Sequence, residues 1–370
     1  MTELTAPFVP DWVSPPGETI LDLMEERGWT QAELARRLGY SEKHVSLLVN
    51  GKASLSDETA MRLERVLGSS ASFWLAREAK FRERSARLEA AKACSGWVDW
   101  LDQLPVKELM SFERIPKRRM IQKHKPAIVS DCLRFFGVAS PEEWQKHYGG
   151  MEVAFRRSRP DQADIGAISA WLRLGEQEAE QVQCPKYNKA KFTSALEMIR
   201  GLTTQMPEKF EPTMKTLLRD AGVSLILVQA IPRSHVSGVA RWLSATHPVI
   251  QLSLYGKTND KFWFTFFHEA AHILLHAGSK EAEQSVFLDD PSSGHSEDPK
   301  EVEADRWAAH TLIPAEFSEE LPCLRDKATI VAFAKRIHIH PAIVVGRLQH
   351  EGIVPLQSAL NGLKQSFTLT

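Results

Sequence analysis

At 370 residues, with 43% hydrophobic and 25% charged residues and a formal net charge of −1, the chain has room for two or three cored domains and the balance of a soluble globular protein. No global charge advertises nucleic acid or a membrane surface, no apolar run approaches a membrane span, and Met1–Pro7 lacks the basic start and apolar stretch of a secretion signal. Cys94, Cys132, Cys184 and Cys323 are scattered without a CxxC pair, which argues against a disulfide framework or a cysteine zinc site and for reduced thiols in the cytoplasm.

The stretch from Thr30 to Lys52 scans as a helix-turn-helix. Thr30-Gln31-Ala32-Glu33 is a capping box that opens a helix whose Ala32, Leu34, Ala35 and Leu38 form a small, apolar face. Gly39 supplies the tight turn, and Ser41 caps a second helix in which Val45 and Leu48 face inward. Glu42, Lys43, His44, Ser46 and Leu47 are left on or near its outer side. A helix of this kind lays its N-terminal residues in a DNA major groove, which makes Ser41, Glu42, Lys43, His44, Ser46 and Asn50 the candidate contacts, with Gln31 and Lys52 at the phosphates. Residues 1–90 carry 12 Lys and Arg against 14 Asp and Glu, so any basic face must be local rather than general.

Together with Ser14-Pro15-Pro16-Gly17-Glu18, Asn50-Gly51-Lys52 and Leu67-Gly68-Ser69-Ser70-Ala71-Ser72-Phe73-Trp74-Leu75, this helix pair resembles HigA-type antitoxins of the XRE helix-turn-helix class. The resemblance covers roughly the first quarter of the chain. It implies a homodimer on a palindromic operator in double-stranded DNA, often with a toxin as protein partner.

Residues 94–184 read as mainly helical, with Trp97, Trp100, Trp144 and Trp171 as core anchors. Arg114, Lys117, Arg118, Arg119, Lys123 and Lys125 form the one concentrated basic run. A solvated surface explains it more readily than phosphate contacts.

From Phe192 the pattern changes. Phe192–Leu202 and Met214–Ala221 read as helices, and Val223–Val228, Val236–Leu243 and Val249–Leu254 as strands, the last followed by a loop at Gly256. The strand before the next helix is expected to offer its edge to an extended peptide. That helix holds His268-Glu269-Ala270-Ala271-His272, an HExxH motif flanked by Phe264, Phe267, Ala271, Leu274 and Leu275 at helical spacing. Histidines four apart share a helix face and can reach one zinc ion, and Glu269 beside them is the candidate catalytic base for a zinc-bound water.

Asp298-Pro299 then opens a second helix on which Glu301, Asp305, Ala308 and Leu312 share one face. Glu301 is assigned as third metal ligand with His268 and His272, and Asp305 as the carboxylate that holds a ligand histidine in its tautomer. Glu303 points elsewhere and is the weaker candidate. His276 reads as a partly exposed histidine at the helix end. Residues 328–348 repeat the helix-turn-helix spacing, but Ile343, Val344, Val345 and Leu348 are apolar, which favours a helix pair closing the core.

Phe267-His268-Glu269-Ala270-Ala271-His272-Ile273-Leu274-Leu275-His276, Glu301-Val302-Glu303-Ala304-Asp305 with Ala308-Ala309, and Leu312-Ile313-Pro314 together resemble the ImmA/IrrE family of zinc metallopeptidase-like proteins. That resemblance implies a zincin-like fold over residues 185–370, zinc on His268, His272 and Glu301, and cleavage of a regulator such as a repressor. The expected fold class is mainly α with a smaller α+β part: an N-terminal helix-turn-helix bundle (1–93), a helical middle (94–184) and a C-terminal domain with a small sheet and the HExxH helix. Two functions follow. One is a DNA-binding regulator that carries a zinc endopeptidase acting on a regulatory protein or on itself. The other is a non-proteolytic HigA-like repressor whose zincin domain is a sensor or structural module.

Overall fold

The computed structural model describes residues 14–158, 164–253, 258–276, 287–289 and 298–367. Met1–Pro7, Leu254 and the loop expected at Gly256 lie outside the described residues. Packing divides the chain into two compact units, one of residues 1–98 and 119–130, the other of residues 99–118 and 131–370.

In the first unit, α1 (Pro16–Glu26), α2 (Gln31–Leu38), α3 (Glu42–Val49), α4 (Asp57–Leu67) and α5 (Ala71–Gly96) enclose a core of Ile20, Leu34, Leu38, Val45, Leu63 and Trp74. The Thr30 hydroxyl accepts from Glu33 N at 3.2 Å, while the Glu33 carboxylate turns to Arg36 and to Arg37, 2.7 Å away. Gly39 ends α2 at φ 71°, a left-handed conformation that side chains with a Cβ resist, and Ser41 then caps α3. The tight turn between α2 and α3 is therefore made at little cost, as the sequence pattern requires.

The remaining helices are α6 (Val106–Ser111), α7 (Lys125–Phe136), α8 (Pro141–Ser158), α9 (Ile165–Ala179), α10 (Lys189–Gly201), α11 (Pro207–Asp220), α12 (Asn259–His276), α13 (Pro299–Leu312), α14 (Lys327–Arg336) and α15 (Pro341–His350). Trp100, Trp144 and Trp171 are buried, and Trp97 is half-buried. Phe136 joins Trp100 and Trp144 in a ring cluster with centroids 5.7–6.1 Å apart. Within the basic run, Arg114 pairs with Glu178, Lys117 with Glu113 and Arg118 with Asp131, so part of its charge is answered locally. No single helix among the described residues is long and apolar enough to cross a membrane.

The second unit holds a sheet of β1 (Ser224–Val228), β2 (Gly238–Ser244), β3 (His247–Ser253) and the three-residue β4 (Phe287–Asp289), in the order β1-β3-β2-β4. β3 runs parallel to β1 and antiparallel to β2, and β2 is antiparallel to β4. This order corrects one expectation. β3 precedes the HExxH helix, but both of its edges are hydrogen-bonded to neighbours, so it has none to offer a peptide. Strand order is set by long-range pairing that local alternation does not encode.

Helix α12 is the centre of this unit, packing against α13, α15 and β2 and buried on nearly every side from Asn259 to Leu274. Ile343, Val344, Val345 and Leu348 of α15 are buried in the same core, which removes the would-be second reading helix from any DNA surface. The C-terminal segment fastens the start of α12: Asn259 N donates to Gln365 O at 2.8 Å, and Lys364 Nζ lies 2.6 Å from Asp260 Oδ2.

Arg200, in the last turn of α10, donates to Thr311 O (2.7 Å) and Leu312 O (3.0 Å) at the end of α13, and to Ile337 O (3.0 Å) after α14. Terminal carbonyls have no partner within their own helix, and a cation there also suits the helix dipole. Arg200→Ala is therefore expected to cost about 3 kcal/mol of unfolding free energy, read from urea denaturation. A change below about 0.5 kcal/mol would mean that water replaces the guanidinium without loss.

Candidate metal centre and nucleic-acid face

The apolar character that buries α12 also takes His268, Glu269 and His272 out of water, at 3%, 0% and 2% exposure. Buried polar groups must find partners, and the neighbouring α13 supplies them for the two histidines. Its start is fixed by Asp298, whose side chain accepts from Lys300 N, and by Pro299 at the first helical position. Glu301 falls in the first turn, where a carboxylate suits the helix dipole.

His268 Nε2 lies 3.0 Å from His272 Nε2 and 3.1 Å from Glu301 Oε2, and Glu301 Oε1 is 3.5 Å from His272 Nε2. One donor atom from each of the three residues falls within a 4.8 Å group. Donor atoms bound to one tetrahedral zinc at ordinary bond lengths stand about 3.3 Å apart, so this set fits such an ion. Protonation states fit as well. Burial pushes His272 down to about 4, so its ring is neutral at pH 7. Burial would raise Glu301, but the hydrogen bonds and charge of His268 and His272 outweigh it and bring the carboxyl down to about 2. A neutral imidazole and an ionised carboxylate are the forms that ligate a cation.

Around these three, Asp305 Oδ1 lies 2.9 Å from His268 Nδ1. Glu269 is on the same helix, its carboxylate turned toward Gly238 of β2. His276 is the last residue of α12 and half-buried, as the sequence reading has it; what that reading did not give is its partners. Its side chain is 8% exposed, with Nδ1 at 3.1 Å from His272 Nδ1 and Nε2 at 3.1 Å from Glu303 Oε2. It thus stands at the helix end between two partners. The regular spacing of His268, His272 and His276 was the signal that could have found it. Glu303 lies outside the donor group, and its partner is His276.

On the first unit, Ser41, Glu42, Lys43, Asn50 and Lys52 are exposed, while Gln31, His44 and Ser46 are half-buried. Three of these side chains serve the helix itself. Ser41 Oγ accepts from His44 N at 3.2 Å, and Asn50 Nδ2 donates to Ser46 O at 2.7 Å and approaches Ser46 Oγ at 3.4 Å. The His44 ring stands edge-on to Tyr40, with centroids 4.6 Å apart. Glu42, Lys43 and Lys52 project from the exposed end and following turn of α3.

Residues 20–74 match the helix-turn-helix family, and residues 203–348 match the IrrE N-terminal-like domain, which groups with M78 peptidases. A relative from Escherichia coli (strain K12), described as "Uncharacterized HTH-type transcriptional regulator YddM", is 37% identical over 60 residues. The match spans 16% of this chain and 64% of that relative's length. The chain thus carries an N-terminal helix-turn-helix DNA-binding domain of the XRE type, joined to an IrrE/ImmA-like domain of the M78 peptidase class.

Proposed function

We propose that this protein is a transcriptional regulator whose C-terminal domain is a zinc-dependent endopeptidase that hydrolyses a regulatory protein or the chain itself. The observation that supports the reading is the convergence of His268, His272 and Glu301 within 4.8 Å, with Glu269 one residue along the same helix. When bound, zinc would supply Lewis acidity toward water and the scissile carbonyl. Glu269 takes the proton of the attacking water and returns it to the leaving amine. Asp305 accepts from His268 Nδ1–H, which fixes the ring's tautomer and leaves the Nε2 lone pair for the ion.

The regulatory half rests on α3, whose exposed N-terminal end, Lys43 included, suits a major groove, with Gln31 and Lys52 as the phosphate contacts. The working division is a DNA-reading segment (1–93), a helical middle (94–184) and a peptidase segment (185–370). The protein works in the cytoplasm as a homodimer on a palindromic operator, with a toxin or repressor protein as its partner or substrate.

The test compares new protein N-termini in cells producing wild type or Glu269→Gln, with promoter occupancy recorded alongside. Loss of the general base is expected to lower cleavage by at least about 100-fold and to leave occupancy unchanged. Identical termini in both strains, with occupancy retained, would reject the peptidase and leave a DNA-binding regulator whose metal domain senses or supports.

A further inference from the structure

We infer that His276 and Glu303 form a positioning relay for His272, the indirect counterpart of the Asp305 contact on His268. This rests on the zinc reading above. Its support is directional. If His272 Nε2 turns its lone pair toward the group made with His268 and Glu301, the neutral ring carries its proton on Nδ1. His276 Nδ1, 3.1 Å away, must then accept that proton's hydrogen bond. The proton of His276 accordingly sits on Nε2, where the Glu303 carboxylate accepts it at 3.1 Å. Every donor in the chain meets an acceptor, and the order of tautomers is fixed by the carboxylate at its far end.

Placement explains why an imidazole is interposed. Glu303 follows Glu301 by two positions on α13 and so leaves that helix on another side. His276 follows His272 by one turn of α12 and spans the distance between them. The two ligand histidines are therefore held differently. His268 is held directly by Asp305, and His272 through a second ring by a carboxylate that is 61% exposed. His276 and Glu303 lie outside the donor group, and they act through His272.

The experiment measures zinc affinity of the full-length protein by competition with a chromophoric chelator, for wild type, Glu303→Ala, His276→Ala and the double variant. Each single substitution is expected to weaken zinc binding about 10- to 100-fold, the range for ligand-orienting carboxylates and their kin. The double variant should bind no more weakly than His276→Ala, because Glu303 acts only through that ring. Nitrogen-resolved NMR of the zinc form should place the His272 proton on Nδ1 in wild type.

Affinities within twofold of wild type in both single variants, with wild type holding one zinc, would overturn the relay and leave the zinc reading standing. Fully additive losses would overturn it too. A wild type that holds no zinc would overturn both. Should His276→Ala fail to fold, Glu303→Ala decides alone, since its side chain is largely in solvent, and an unchanged affinity rejects the relay.

Discussion

Alanine in place of Gly238 is expected to lower the proposed peptide hydrolysis about 100-fold, because it displaces Glu269, the base of that proposal, and to cost about 1–3 kcal/mol of stability. Gly238 opens β2 and is paired with Leu252 on one side and Asp289 on the other, so its backbone cannot retreat without breaking the sheet. A Cβ built there would stand 2.7 Å from Thr265 Cγ2, 2.9 Å from Leu252 Cδ2 and 2.9 Å from Glu269 Oε1. Non-bonded carbon contacts settle near 3.5–4.0 Å, about 1 Å farther out. Thr265, Leu252 and Glu269 are all buried, which leaves little slack in the surrounding core. The Glu269 carboxylate turns about its own side-chain bonds and is the group most easily moved aside. The proposed ligands His268, His272 and Glu301 supply none of the three atoms nearest the new methyl, so zinc content should stay near wild type while the proposed cleavage falls. Wild-type turnover in Gly238→Ala would show that Glu269 does its chemistry from another position.

The parts of this protein that could be read from its sequence are those governed by local periodicity. The Thr30 and Ser41 caps, the Gly39 turn and the inward Val45 and Leu48 follow from spacing within single helices, and the structure has them. The convergence of His268, His272, Glu301 and Asp305 was legible for the same reason: two helical faces each carried donors at one-turn intervals. Order in the sheet was not, since placing β3 between β1 and β2 depends on pairing across the chain. The contact between His276 and Glu303 was not legible, because each looks ordinary alone and they stand 27 positions apart. The same blindness hid the docking of α9 onto the sheet, which depends on a pair separated by 65 positions. A charged residue in a strand reads as solvent-facing, yet Arg241 is only 6% exposed.

That pair carries the second large effect. Glu176→Ala is expected to destabilise the protein by about 3–5 kcal/mol, because it strands a buried guanidinium. Arg241 Nη1 lies 2.5 Å from Glu176 Oε1, and its Nη2 donates to Leu172 O at 2.7 Å and to Gln251 Oε1 at 3.3 Å. Gln251 Nε2 in turn donates to Trp171 O at 2.7 Å, so β2 and β3 are both tied to α9. Burial by itself would raise the Glu176 carboxyl, but the charge of Arg241 and the hydrogen bonds of Arg173 and Arg241 prevail and hold it below 4.5. A carboxyl whose folded value is depressed stabilises the fold in full above its unfolded value. That contribution is lost as pH falls through the lower, folded value. The stability difference between wild type and Glu176→Gln should therefore be constant above about pH 5 and shrink steadily below 4.5, followed by urea denaturation at each pH. Replacing both partners, Glu176→Leu with Arg241→Met, should recover much of the loss, since an apolar pair needs no counter-charge. A difference that stays constant down to pH 3, or a double variant as unstable as the single, would mean that α9 is held by its apolar packing and the ion pair is incidental.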